Sequence, residues 1–294
     1  MALAIRPLHP VFAAAVTGLD LRDPPTPALG REIAAVMDRH AVACLPDQAI
    51  DDAQQLRFTR LFGEPELAPL VQGRPRAPEA GDRIQHKEIF DVSNLDPRGN
   101  MLPADDERRR YSLGNRLWHT DSSFRQLSAT YSMLSARIAP ADGADTEFAD
   151  MRAAYDALPE AMKRRLDGLV AEHSIWVSRR AYGYVPTDEE IRLRPPARHK
   201  VVRVHPGSGR KTLYIASHID RIIGWSEDES RALRDELIAF ATRPRFVYVH
   251  KWRAGDLVIW DNRCTMHRAT PFKDVLVPRD MRRTTVREAV AVPA

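Results

Sequence analysis

The stretch "GDLVIWDNRCTMHRATPF", Gly255 to Phe272, decides how this chain is read. A strongly apolar run, Leu257 to Trp260, predicts a strand; Asp261-Asn262 then supplies the turn chemistry that delivers His267 just beyond it. Working outward, "KVVRVHP", "KTLYIAS", "RFVYVHKW" and "MRRTTVRE" are further strand candidates, separated by turns such as "PGSGR" and "AGD". One helix, "SEDESRALRDELIAFAT", lies among them with Ser226 and Glu229 in capping-box spacing. Short strands at this spacing predict an antiparallel barrel or jelly roll, mainly β with flanking helices, and not an alternating βαβ fold.

Upstream, "TPALGREIAAVMDRH" has apolar residues at helical spacing and passes into a short strand, "AVACL"; "DDAQQLRFTRLFG" is a second helix with Asp51 or Asp52 at its N-cap. "ATYSMLSARI" reads as a strand. "FADMRAAYDALPEAMKRRLDGLVAEH" gives the strongest helical signal, split in two by Pro159. Between Glu64 and Leu113 the patterning fades into Pro, Gly and charge, as it does again near residues 176–200, so both are expected to be lids or flexible loops on a single domain spanning 1–294.

The composition is that of an ordinary soluble globular protein, with 44% hydrophobic and 29% charged residues. Two cysteines, Cys44 and Cys264, are too few and too far apart for a disulfide framework or a CxxC zinc site. The N-terminus lacks the order of a signal peptide, and no stretch reaches membrane-spanning length, so a cytoplasmic location is expected. The excess of Lys and Arg is small and shows no stripe of basic and aromatic residues, which argues against a nucleic-acid partner.

"NRLWHTDSSF", Asn115 to Phe124, places His119 and Asp121 two positions apart just before a strand. With 10 histidines and 40 acidic residues, roughly 1.4 His-x-Asp/Glu tripeptides are expected by composition alone. Three occur, at His86, His119 and His218, so the tripeptide by itself decides nothing. His86 lies in a charged loop, and His218 follows a strand at its exit, where a turn is expected. His119 gains weight from His267, because two histidines and a carboxylate on one face of an octahedron leave three positions for non-haem Fe(II) chemistry with oxygen. Arg279 and Arg283, four apart on a strand, share a face from which Arg282 points away; a guanidinium there can clamp a carboxylate.

This combination resembles the Fe(II)- and 2-oxoglutarate-dependent dioxygenases of the taurine dioxygenase and 2,4-dichlorophenoxyacetate dioxygenase type. "WHTDSSF", "GADTEFADMRAAYDALP", "VVRVHPGSGRKTLYI", "WDNRCTMHRAT" and "RDMRRTT" carry the likeness, which covers nearly the whole chain and is closer to the phenoxyacetate-degrading branch. The resemblance implies a double-stranded β-helix core, iron on His119, Asp121 and His267, and 2-oxoglutarate held by Arg279 with Thr146 beside it. It further implies O2 as co-substrate, ascorbate as reductant, and Arg283 facing the anionic group of a small organic substrate. Thr146 alternatively caps the following helix, and His205 is either a pocket contact or a turn residue. Family members associate, which implies a homo-oligomer, with no membrane partner.

The implied reaction hydroxylates an aryloxyacetate next to its ether oxygen, giving a phenol and glyoxylate with succinate and CO2. Leu70, Val71, Ile84 and Ile89 of the first loop are expected to close over the ring. Taurine, another sulfonate or an alkyl sulfate would suit the same anion clamp. Outside this class, a metal-dependent hydrolase could share the two histidines and the aspartate, although it would not require the paired arginines.

Overall fold

The computed structural model describes residues 3–68 and 79–290; Leu70 and Val71 lie outside the described residues. The strand read from the opening stretch, Leu257–Asp261, runs at the centre of a seven-stranded sheet. It pairs antiparallel with Val42–Leu45 on one side and with the long strand Ala129–Ile138 on the other. Its lack of polar alternation follows from burial on both faces. Leu257 and Ile259 pack against Ile33, Val36, Met37 and Phe58 of the helices Pro27–His40 and Asp52–Thr59. Val258 and Trp260 face the other way, onto Phe148 and Met281. Ala129–Ile138 pairs in turn with Asp280–Arg287, which carries the arginine-rich end of the chain.

A second, three-stranded sheet is built from Val247–His250, Thr146–Asp150 and Thr265–Ala269, all antiparallel. Phe148 points from it into the space shared with the large sheet, whereas Ala149 and Met266 point outward to a cluster with Leu233 and Leu237 of the helix Glu227–Ala241. The molecule is therefore mostly β, with helices on the outer side of each sheet. The turn at Asn262–Cys264 carries the chain from the large sheet to the small one, so His267 lies where the two sheets meet.

Three expectations change. Thr146–Asp150 is a strand, and so is Val170–His173, although both bound the stretch with the strongest helical pattern; the helices are confined to Met151–Asp156 and Glu160–Leu166 on either side of Pro159. Asp150 caps the first of them by accepting from Arg152 N and Ala153 N. The region near residues 176–200 is also regular, with helices Ile175–Arg180 and Asp188–Leu193 and the strand Ala197–Lys200. In the first loop the helix Glu107–Leu113 forms, Ile89 is buried and Ile84 half-buried. Among the described residues no helix is long and apolar enough to cross a membrane.

Candidate metal and co-substrate site

His119 and His267 form an isolated antiparallel bridge, with His119 N donating to His267 O at 3.0 Å and the reverse bond at 2.7 Å. Backbone pairing thus brings together two side chains separated by 147 intervening residues, and their rings lie 4.2 Å apart between centroids. Asp121 is fixed from the large sheet. Its Oδ2 accepts from Ser132 Oγ at 2.7 Å, its Oδ1 from Arg283 Nη1 at 2.6 Å, and its backbone N donates to Asn262 Oδ1 at 3.1 Å. One ligand atom from each of His119, Asp121 and His267 can be chosen so that all lie within 4.8 Å of one another.

The donor set fits a cation. The short contact of His119 Nδ1 to Leu117 O, 2.7 Å, holds the N–H on Nδ1 and leaves the Nε2 lone pair for a metal. His267 Nε2 lies 3.8 Å from Asp121 Oδ2. Burial lowers His119 to about 4 against the opposing pull of Asp121, and lowers His267 well below its usual value. Both rings are neutral near pH 7. Burial pushes Asp121 up, but Arg283, His267 and His119 together outweigh it and hold the carboxylate at about 2. Two neutral imidazoles and one carboxylate match the three-ligand set for non-haem iron.

His119 and His267 line a cavity whose wall also carries Thr146, Arg279, Arg283 and Asn115. Arg279 is held from behind: its backbone N donates to Asn94 Oδ1 at 2.8 Å and its Nη1 to Val92 O at 3.1 Å. Its Nε has no partner, and no carboxylate among the described residues neutralises it; burial alone lowers it to about 10. An unpaired buried guanidinium costs several kcal/mol, roughly, unless an anion joins it. Thr146 begins its strand and does not cap a helix; its Oγ accepts from Trp252 Nε1 at 2.9 Å, which leaves the hydroxyl proton free to donate. The preceding turn keeps Ala144 in the left-handed region at φ 59°, a conformation that glycine adopts without strain.

The sequence match extends over the chain. The model of the taurine catabolism dioxygenase TauD, TfdA family matches residues 4–285. The chain belongs to this family. The family member is 43% identical to the alpha-ketoglutarate-dependent 2,4-dichlorophenoxyacetate dioxygenase of Cupriavidus pinatubonensis, over 99% of this chain and 100% of that one. It is 36% identical to the (S)-phenoxypropionate/alpha-ketoglutarate-dioxygenase of Sphingobium herbicidovorans, over 92% and 90%. In structure it is similar to AAD-2 in complex with Mn(II) and N-oxalylglycine, with a TM-score of 0.90, 44% identity and complete coverage of both chains. This TauD/TfdA family member is a Fe(II)- and 2-oxoglutarate-dependent dioxygenase.

Other expectations meet different fates. Arg282 does point away from Arg279 and Arg283, pairing with Asp280 at 2.7 Å. His205 is not a pocket contact: it is fully buried, its Nε2 lies 2.9 Å from Asp261 Oδ2 and its Nδ1 2.8 Å from Ser208 Oγ, so neither nitrogen is left for a ligand. His218 does sit in a turn, but its buried ring lies 5.6 Å from that of His119 and 5.4 Å from Phe124. Asn262 does more than turn the chain. Its Oδ1 accepts from Asp121 N and Trp260 Nε1 while its Nδ2 donates to Ser132 Oγ, so one amide locks the aspartate to the strand behind it. The turn chemistry of "DN" marked the position, but nothing local marked Ser132 or Asn94.

Proposed function

We propose that this dioxygenase hydroxylates an aryloxyacetate such as 2,4-dichlorophenoxyacetate, from one catalytic domain with a double-stranded β-helix core, in the cytoplasm. The observation that carries the reaction class is the close group of His119, Asp121 and His267, whose two histidines line a cavity that is also lined by the buried Arg279 with its unpaired Nε. The substrate class is supported by relatives that act on 2,4-dichlorophenoxyacetate and (S)-phenoxypropionate.

In this reading His119, Asp121 and His267 hold iron, and Arg279 with Thr146 holds the distal carboxylate of 2-oxoglutarate. With both bound, the metal supplies the oxidising power that converts one substrate C–H to C–OH as O2 is consumed and 2-oxoglutarate becomes succinate and CO2. The chain's own work is positioning. Arg283 fixes Asp121 by its 2.6 Å bond and adds positive potential on the substrate side. Ser132 and Asn262 keep the same carboxylate from rotating. Apolar Leu134, Trp260 and Phe272 in the cavity wall keep water from the reacting carbon. Hydroxylation beside the ether oxygen gives a hemiacetal that collapses to a phenol and glyoxylate.

Anaerobic Fe(II)-loaded protein mixed with 2-oxoglutarate and phenoxyacetate, then exposed to oxygen, is expected to release phenol and succinate in equal amounts. Succinate formation raised by taurine or an alkyl sulfate but not by phenoxyacetate would overturn the substrate assignment.

A further inference from the structure

Two buried tryptophans direct their indole N–H groups at residues of the site from behind it. Trp260 Nε1 donates to Asn262 Oδ1, the amide oxygen that also receives Asp121 N, so this bond belongs to the group that aims the aspartate. Trp252 Nε1 donates to Thr146 Oγ at 2.9 Å. That bond serves the wall on which Thr146 and Arg279 lie, and Trp252 itself is not among the residues lining the cavity.

Resting on the reading that Thr146 and Arg279 hold the distal carboxylate of 2-oxoglutarate, we propose that Trp252 is a positioning residue for that co-substrate, fixing the Thr146 hydroxyl as a hydrogen-bond donor. An indole N–H can only donate, whereas a hydroxyl has one proton and two lone pairs. While Trp252 occupies a lone pair of Thr146, the hydroxyl proton must point elsewhere, and no protein acceptor for it is found among the described residues. Thr146 therefore meets a ligand as a donor. So does Arg279, whose Nε is without a partner. Two donors and no acceptor suit a carboxylate, and disfavour an amide or hydroxyl end that must also place a proton of its own. The chain from indole N–H through hydroxyl to carboxylate adds to this, because in a buried setting each hydrogen bond polarises the next; Trp252 and Thr146 are both buried.

The chain around Trp252 holds the indole in this pose. His250 pairs directly across from Thr146 in the small sheet, and Trp252 follows two residues later, just past the strand's end. The His250 ring meets the indole edge to face, with centroids 4.6 Å apart and planes at 85°. That imidazole is itself fixed at both nitrogens, since Nε2 lies 3.1 Å from Asp256 Oδ2 and Nδ1 3.2 Å from the Tyr248 hydroxyl. Asp256 Oδ2 also accepts from Arg253 N at 2.9 Å, which closes the turn that follows Trp252. The indole belongs to the apolar cluster of Phe148, Val258 and Met281, where Thr146 Oγ is the one acceptor recorded for its N–H.

The test is calorimetric titration of the anaerobic Fe(II)-loaded protein with 2-oxoglutarate and with 2-oxopentanoate, a 2-oxo acid of the same length that ends in a methyl group instead of a carboxylate. Trp252→Phe keeps an aromatic ring and removes the N–H. It is expected to weaken 2-oxoglutarate about 5-fold and to leave 2-oxopentanoate at its wild-type affinity. Thr146→Val is expected to weaken 2-oxoglutarate on the order of 10-fold. Adding Trp252→Phe to Thr146→Val should bring no further loss, because the two residues act through one hydroxyl. If Trp252→Phe does not fold, benzothienylalanine incorporated at position 252, which keeps the bicyclic ring and replaces only the N–H by sulfur, carries the same expectations. Equal loss of both 2-oxo acids, or additive losses in the double variant, would mark Trp252 as a packing residue and overturn the proposal. Wild-type affinity for 2-oxoglutarate in Trp252→Phe, with loss in Thr146→Val, overturns the proposal and leaves the co-substrate wall standing. Wild-type affinity in Thr146→Val removes Thr146 from that wall, and the role of Trp252 falls with it.

Discussion

Two buried groups in this molecule have nearly the same ingredients. His119, Asp121 and His267 form one; His205, Asp261 and Cys264 form the other, and in each the candidate ligand atoms lie within 4.8 Å of one another. The second group is closed. His205 bonds Asp261 and Ser208, and Asp261 accepts from Arg263 Nε at 2.9 Å and from its Nη2 at 2.5 Å. Burial and the nearby Asp261 push the Cys264 thiol well up, so it carries no thiolate for a metal. In the first group, by contrast, both imidazoles lie at the wall of a cavity, with Asp121 Oδ2 3.8 Å from His267 Nε2. Residue types do not make a site; donor atoms that the fold leaves unused, facing a space a ligand can enter, do.

The sharpest way to break this comparison is His119→Ala. It is expected to abolish Fe(II) binding and succinate formation while the metal-free fold loses about 1 kcal/mol, the worth of the bond to Leu117. Wild-type turnover in that variant would remove the metal assignment. The mirror experiment is Asp261→Asn. Burial raises the Asp261 carboxyl, but Arg263 first and His205 second overwhelm that and hold it far below the usual range. Neutralising it is expected to cost about 3–5 kcal/mol in urea unfolding, with iron per folded chain unchanged. Because the carboxyl is depressed in the folded state, its contribution is present above its unfolded value of 3.8 and is lost as pH falls below it. The wild-type and Asp261→Asn stability curves should converge on acidification.

The closed group and the open one could not be told apart locally in the sequence. His205 sits in "RVHPGSG" and offers no sign that both its nitrogens are satisfied by residues 3 and 56 positions away. His119 was legible only through His267 and the paired arginines, a pattern that family resemblance made specific. Most strands and helices of the last third were legible because burial imposes alternation or capping on them, as with Ser226 and Glu229. Thr146–Asp150 was not, since "TEFADMRAAYD" keeps helical spacing of apolar residues across the strand and sheet pairing overrides it. The region near residues 176–200 read as a polar loop because rings and cations hold it: Trp176 stacks on Tyr184 and Arg194 lies over Trp176. In such packing arginine serves as an apolar plane as well as a charge, and hydrophobic periodicity does not register it.

A third experiment separates the two groups by the sign of a stability change. Arg279→Gln removes a buried charge that has no carboxylate partner, so the metal-free protein is expected to become more stable, opposite to Asp261→Asn. At the same time affinity for 2-oxoglutarate should fall on the order of 100-fold, read as a rise in its KM with the phenoxyacetate KM little changed. A variant less stable than wild type would mean that Arg279 is paired by the protein itself.

The smallest expected effect probes how the open group stays open. Ser132 Oγ donates to Asp121 Oδ2 and accepts from Asn262 Nδ2 at 3.0 Å, so it ties the carboxylate to the amide that also receives Asp121 N. Ser132→Ala deletes this tie while Arg283 still holds Oδ1 and Asn262 still holds the backbone. With two of three restraints left, the carboxylate keeps its place on average but samples wrong orientations, and Fe(II) affinity is expected to drop about 10-fold in a competition titration. Turnover at saturating iron should remain near wild type, because the ligand itself is intact. A loss as complete as that of His119→Ala would show that Asp121 is aimed by this one hydroxyl and that Arg283 contributes only charge; no loss at all would show that the guanidinium suffices.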